Sequence, residues 1–159
     1  MKIKLIAVGR LKEKFYCEAV NEFKKRLSRF TDLELIELVD EKAPDRLSAA
    51  ELEQVKLAEG RRILERVAES DTVILTDLRG REFSSPELAD KLKGYMLDGR
   101  SRLCFIIGGS NGVSDEVFAR ADLKLSFSRL TFSHQIFRIM LLEQLYRAFK
   151  IMNGEPYHK

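Results

Sequence analysis

An α/β fold, with a mostly parallel sheet flanked by helices, is what this sequence predicts. Three observations carry that expectation. Apolar strand patterns alternate with helical ones from end to end. Leu103–Ile107 is continuously apolar, as a strand covered on both faces requires. A glycine-rich turn, Gly108-Gly109-Ser110-Asn111-Gly112, follows that strand, and open α/β sheets hold ligands beyond the carboxyl ends of their strands.

The elements follow in order. Ile3–Val8 reads as a strand ending at Gly9, and the start is too short and too charged for a signal peptide. Val20, Phe23 and Leu27, three and four apart, predict a helix over Glu18–Phe30. Leu33–Val39 reads as a strand, and Glu41–Asp45 as a loop. Ser48 and Glu51 form a capping box opening a helix to about Val67. Gly60 weakens its middle by roughly 1 kcal/mol relative to Ala. Thr72–Leu75 is a short buried strand with Asp77–Gly80 as its exit loop. Ser85 and Pro86 supply a cap and a first-turn proline for Glu87–Met96. Val113–Ala121 is a short helix, Leu123–Phe127 the last strand and Gln135–Met152 the last helix. With no repeat, low-complexity stretch or linker, residues 1–159 read as a single domain.

Composition narrows the function classes. No apolar run approaches a membrane span. Cys17 and Cys104 lie far apart with no metal-ligand spacing, and they suggest a reducing, cytoplasmic setting. Net charge is only +3, but it is uneven: residues 1–30 hold 9 Lys/Arg against 3 Asp/Glu, residues 31–117 hold 12 against 19, and residues 118–159 hold 7 against 3. Two basic ends that met in space would suit a polyanion such as nucleic acid.

Four constellations carry chemistry. The glycine turn lets backbone approach a ligand closely. It lacks both the G-x-G-x-x-G spacing and a phosphate-binding lysine, so a dinucleotide or ATP site is not indicated. Ser126–Ser133 is rich in hydroxyls, carries Arg129, and leads into a helix start where backbone N–H groups hold polar ligands or where serines merely cap. In the last helix Glu143, Arg147 and Lys150 form one polar stripe, and most of the remaining arc, roughly 250°, is apolar. An amphipathic surface helix needs an apolar stripe of only somewhat more than about 100°. One face suits the sheet; the other suits a second copy in a twofold dimer, or the centre of a monomer. Arg138 lies inside the apolar arc, with His134 one turn earlier. Such a cation must be paired or must serve an interface site. Glu143 lies about 140° away on the same helix, so it would reach Arg138 only from a second subunit, or not at all. A charge at Leu145, like loss of Arg138, is expected to give inactive monomers. Finally, Tyr157 and His158 place two hydrogen-bonding or proton-transferring groups in the tail.

Taken together, the Ile-Gly-Gly-x-x-Gly turn, Leu-Ser-x-Ser-x-Leu-Thr-Phe-x-His-Gln, Arg-x-x-Leu-x-Glu-Gln-Leu-Tyr-Arg-Ala-Phe and the terminal Gly-Glu-Pro-Tyr-His-Lys resemble the SPOUT superfamily, in its minimal ribosomal RNA methyltransferase members. The resemblance covers essentially the whole chain. It implies a C-terminal trefoil knot and a homodimer using S-adenosylmethionine. It also implies methylation of N3 of a pseudouridine in 23S ribosomal RNA on the assembled ribosome, without metal or membrane. The cofactor residues it implies are Leu75, Thr76, Gly108, Gly109, Gly112, Phe127, Ser128, Arg129, Leu130, Thr131 and Phe132. The tail of one subunit completes the partner's site. His158 is then the first candidate base, Tyr157 a stacking or hydrogen-bonding partner, and Arg138 and Arg129 orienting or phosphate-binding groups. Lys12, Lys24, Lys25, Arg26 and Arg29 would add salt-dependent affinity for RNA. The rival reading is a non-catalytic ribosome-docking factor, which would require neither loop.

Overall fold

The computed structural model describes residues 1–157. Its five strands form one all-parallel sheet in the order β2-β1-β4-β3-β5. Along the chain these are β1 (Lys2–Val8), α1 (Lys14–Leu27), β2 (Asp32–Leu38), α2 (Ala49–Leu64), β3 (Thr72–Glu82), α3 (Ser85–Leu97), β4 (Arg102–Ile107), α4 (Asp115–Arg120), β5 (Leu123–Ser126) and α5 (His134–Met152).

Alternation along the strands divides the core into two layers, because successive side chains point to opposite faces of a sheet. Ile3, Leu5 and Ala7 of β1, with Leu103, Phe105 and Ile107 of β4, pack with residues of α1, α3 and α5. Ile6, Val8, Cys104 and Ile106 face the other way and pack with Ile63 of α2 and Val117 of α4. Burial pushes the Cys104 thiol up to about 12, so it is inert as a nucleophile.

Several boundaries differ from the sequence expectation. The first helix begins at Lys14 and ends at Leu27, earlier at both ends than expected. The cap of α3 is Ser84, whose hydroxyl accepts from Glu87 N while Glu87 accepts from Ser84 N. Ser85 instead donates to Gln144 on α5 at 2.8 Å. The expected exit loop Asp77–Gly80 lies inside β3. Pairing with β5 breaks after Thr76 and resumes at Arg81, so these residues form a bulge in a strand that continues. Asp77 and Arg79 pair within that bulge.

Asp71 joins the amino ends of the central strands. Its almost fully buried carboxylate accepts from Lys4 Nζ at 2.9 Å, Ala68 N at 2.9 Å and Arg102 Nε at 3.0 Å. Burial, the largest single influence, pushes the carboxyl up; the donors together outweigh it and hold it below its usual value. A depressed folded pKa gives stability that is present above the unfolded value, about 3.9, and lost as pH falls through the folded one. Asp71→Asn should therefore cost about 1–3 kcal/mol at neutral pH, with the gap from wild type narrowing as pH falls below the usual carboxylate value and through the depressed folded one. Urea unfolding at neutral and at acid pH measures this, and an equal gap at both would contradict it.

Candidate functional site

The carboxyl ends of β3, β4 and β5 open onto a cavity of about 810 Å³, within the size range of small-molecule sites. Its walls come from the β3 bulge, the glycine turn after β4, the serine-rich loop after β5, and the first turn of α5. The two loops singled out from the sequence thus face one space. Every cofactor residue implied by the resemblance lies on its wall except Leu75 and Arg129. Leu75 is buried in the sheet core beneath the cavity, and the Arg129 side chain is exposed outside it. Thr76 sits at the floor, its hydroxyl tied to Ile106 O at 2.9 Å.

The turn after β4 closes on itself through Gly112 N to Gly109 O at 3.1 Å, with Gly112 at φ +86, a backbone region that other residues rarely adopt. Behind it stands α2. A Cβ on Gly109 would lie 2.7 Å from Glu59 Oε2. Glu59 is buried; Oε1 accepts from Glu41 N at 3.0 Å, and Oε2 has no partner among the described residues. Burial raises its pKa, against the Glu41 N–H, which lowers it. A carboxyl held toward its neutral form thus backs the loop. Val55, Glu59 and Ile63 share the buried stripe of α2 at spacings of four, so a charged residue on an apolar stripe was the available signal, and the sequence reading passed over it.

The loop after β5 is shaped by its own hydroxyls. Ser126 Oγ donates to Ser128 O at 3.1 Å, Leu130 N donates to Ser128 Oγ at 3.0 Å, and Ser133 caps α5 through Ile136 N at 3.4 Å. Phe137 stands between Phe127 (4.7 Å, ring centroids) and Phe132 (6.4 Å). Leu130 is 69% exposed, an apolar side chain held at the rim. The result is a space with apolar rings on one side and backbone on the other, suited to a ligand with a flat ring and polar edges.

Arg138 corrects an expectation. It is fully buried and not on the cavity wall. Nη1 donates to Glu37 Oε2 at 2.8 Å and Nη2 to Gly9 O at 3.0 Å, both within this chain. Glu143 instead accepts from Arg147 Nη2 at 2.6 Å. Neutralising Arg138 needs no second subunit. The helical projection rightly kept Glu143 from Arg138 within the chain; the partner lies off the helix altogether, on β2, where sheet pairing sets Glu37 beside Ala7 of β1. Leu145 is likewise fully buried in the core shared with α1 and α3, so a charge there disrupts the fold rather than a subunit boundary.

The tail returns along α5. Tyr157 Oη donates to Glu143 Oε1 at 3.2 Å, its ring lies edge-on to Tyr146 at 4.9 Å, and Arg147 covers its face at 4.7 Å. Burial, then Glu143, raise the Tyr157 pKa, so the phenol keeps its proton. Glu143 also lines a second, smaller cavity of about 560 Å³ with Phe23, Phe83, Ile136, Ile139 and Met140. Phe127 borders both spaces. The Glu143–Arg147–Tyr157 cluster was read from the sequence only as a polar stripe and a separate tail. His158 lies outside the described residues.

The basic residues expected to bind RNA fall on or beside α1, where Lys24, Lys25 and Arg26 occupy the last turn. Among the described residues, no group of three or more His, Cys, Asp or Glu could hold a metal ion, and no helix is long and apolar enough to cross a membrane.

Comparison with known proteins agrees with this geometry. A family described as "Predicted SPOUT methyltransferase" matches residues 1–158. The chain is 51% identical over 159 residues to "Ribosomal RNA large subunit methyltransferase H" of Acetivibrio thermocellus, covering 100% of both proteins. It is 53% identical over 159 residues to the protein of that name in Clostridioides difficile, again covering 100% of both. To the one in Desulfitobacterium hafniense (strain Y51) it is 52% identical, covering 100% of this chain and 99% of the relative.

Proposed function

Because the chain belongs to the SPOUT methyltransferase family, we propose that it transfers a methyl group from S-adenosylmethionine to N3 of a pseudouridine in 23S ribosomal RNA, on the assembled ribosome. The observation that carries this reading is the convergence of the glycine turn, the serine-rich loop and the first turn of α5 on one cavity of about 810 Å³. The residues there fit the cofactor. Close-packed backbone at Gly108–Gly112 and the Phe127, Phe132 and Phe137 rings suit an adenosine, and the Asp77–Arg79 pair suits charged ends. The reading includes the C-terminal trefoil knot and the cytoplasm as the place of action.

Held by the glycine turn, the serine-rich loop and the Phe127, Phe132 and Phe137 rings, S-adenosylmethionine would supply an electrophilic methyl group to N3. The protein's part is alignment, which lowers the barrier by fixing the reacting atoms in line. N3 must also lose its proton. His158 is the first candidate to take it, and Tyr157, which keeps its proton beside Glu143, is the stacking or hydrogen-bonding partner proposed for the pseudouridine. The exposed Arg129 and the basic surface of α1 would meet phosphate.

The working form in this reading is a homodimer in which one tail completes the partner's site. The apolar groove bordered by α1, the start of α3 and α5, with Ile136, Ile139 and Met140 partly open, supports it. A charge on that open edge, Met140→Asp, should raise the dimer dissociation constant at least ~100-fold, since burying an unpaired charge costs several kcal/mol. Sedimentation reads this, and an unchanged dimer would move the interface elsewhere. Calorimetric titration with S-adenosylmethionine tests the cavity: saturable one-to-one binding per chain is expected, and no heat at millimolar ligand would remove the reading.

A further inference from the structure

Two buried atoms on consecutive turns of α5 have no hydrogen-bond partner among the described residues: His134 Nδ1 and Arg138 Nε. They are complementary. Arginine Nε can only donate, and an imidazole nitrogen accepts when the proton sits on the other nitrogen. Side chains four apart on a helix are neighbours. A buried N–H left without a partner is costly, which favours a hydrogen bond from Arg138 Nε to His134 Nδ1. The imidazole is also confined. A Cβ on Gly9 would lie 2.8 Å from its Cε1, and the Gly9 carbonyl is itself held by Arg138 Nη2. The same ring forms part of the wall of the large cavity. With Nδ1 turned inward, Nε2 is the nitrogen left to face a ligand.

We propose that His134 is a ligand-binding residue whose tautomer is set by Arg138, so that a neutral imidazole presents Nε2–H to an acceptor atom of the methyl donor. This rests on reading the cavity as the S-adenosylmethionine site. The charged groups around the ring favour the neutral form. Burial first, and then Arg138 on the same helix, lower its pKa; Asp40, beyond β2, acts in the opposite direction. Glu37 is already engaged by Arg138 and by Leu11 N. Neutrality matters because an imidazolium would repel a sulfonium in the same cavity. With Nδ1 occupied and Nε2 protonated, His134 has no free site for a proton and does not serve as the base.

The test uses S-adenosylhomocysteine and 5′-methylthioadenosine, which lacks the amino-acid part, titrated into the intact protein. His134→Leu should weaken S-adenosylhomocysteine at least ~10-fold, the scale of one lost hydrogen bond. His134→Gln, whose terminal amide reaches the same position, should stay within ~3-fold of wild type. An equal loss for both ligands places the acceptor on the adenosine, and a loss confined to S-adenosylhomocysteine places it on the amino-acid carboxylate; either supports the proposal. Nitrogen NMR of the free protein should show the ring proton on Nε2. Wild-type affinity in His134→Leu, or a proton on Nδ1, overturns the proposal while leaving the cavity reading intact. A wild-type protein that binds neither ligand removes both.

Discussion

Arg138→Ala should lower the free energy of unfolding by about 3 kcal/mol. Arg138 is among the largest fully buried side chains in the protein. Its guanidinium holds together the ends of β1 and β2, through the Gly9 carbonyl and the Glu37 carboxylate. Removing it leaves a void, a carbonyl without its donor and a carboxylate without its counter-charge. Glu37 is one-third exposed, so water recovers part of the loss and the cost stays at the low end for a broken buried pair. Arg138→Met refills the void and should cost less. Urea unfolding measures both. A variant as stable as wild type that merely fails to dimerise would contradict the intrachain assignment and restore Arg138 to a subunit interface.

Gly60→Ala should destabilise by about 1–3 kcal/mol, the opposite sign from an exposed helix, where the change gains about 1 kcal/mol. A Cβ there would lie 2.4 Å from Ser114 Oγ and 3.1 Å from Ser114 Cβ. Ser114 cannot swing away: it is buried and caps α4 through Val117 N. The strain would fall on the segment joining the glycine turn to α4, so weaker S-adenosylmethionine binding should accompany the lost stability. Gly60→Ala combined with Ser114→Gly should cost less than the sum of the two single changes, because the second removes the atoms the first collides with. A stabilised Gly60→Ala protein would show that α2 and α4 do not pack this closely.

Gly60 also marks what was legible in the sequence. Locally Gly60 marks only a helix weakened in its middle; Ser114, the neighbour that requires the glycine, is more than fifty residues away and invisible to a local pattern. Strands whose two faces are both buried, such as Leu103–Ile107, declared themselves through continuous apolarity. The Ser48–Glu51 box was found because capping is a relation three residues long. The same rule marks Ser84 rather than Ser85 as the cap of α3, because Glu87 stands three residues after Ser84 and Leu88 after Ser85; taking Pro86 as the first helical residue shifts the cap by one. Beyond Asp77, β3 was lost because a bulge looks like a turn until its partner strand is known. The glycine turn and the serine-rich loop were legible as composition and as family motif, whereas their meeting in one cavity is a consequence of strand order. Arg138 was recognised as a buried cation needing a partner, but Glu37 lies 101 residues away, brought close only by the β1–β2 pairing.

Methyl transfer to fractionated substrates tests the central claim most directly. The purified protein is incubated with S-adenosyl-[methyl-³H]methionine and, separately, with intact ribosomes, free large subunits, tRNA and ribosomal proteins. The account predicts label in 23S RNA of intact ribosomes, recovered after nuclease digestion as an N3-methylated pseudouridine. Label that appears only in tRNA or protein, or no transfer to any fraction by a protein that binds the methyl donor, would contradict it.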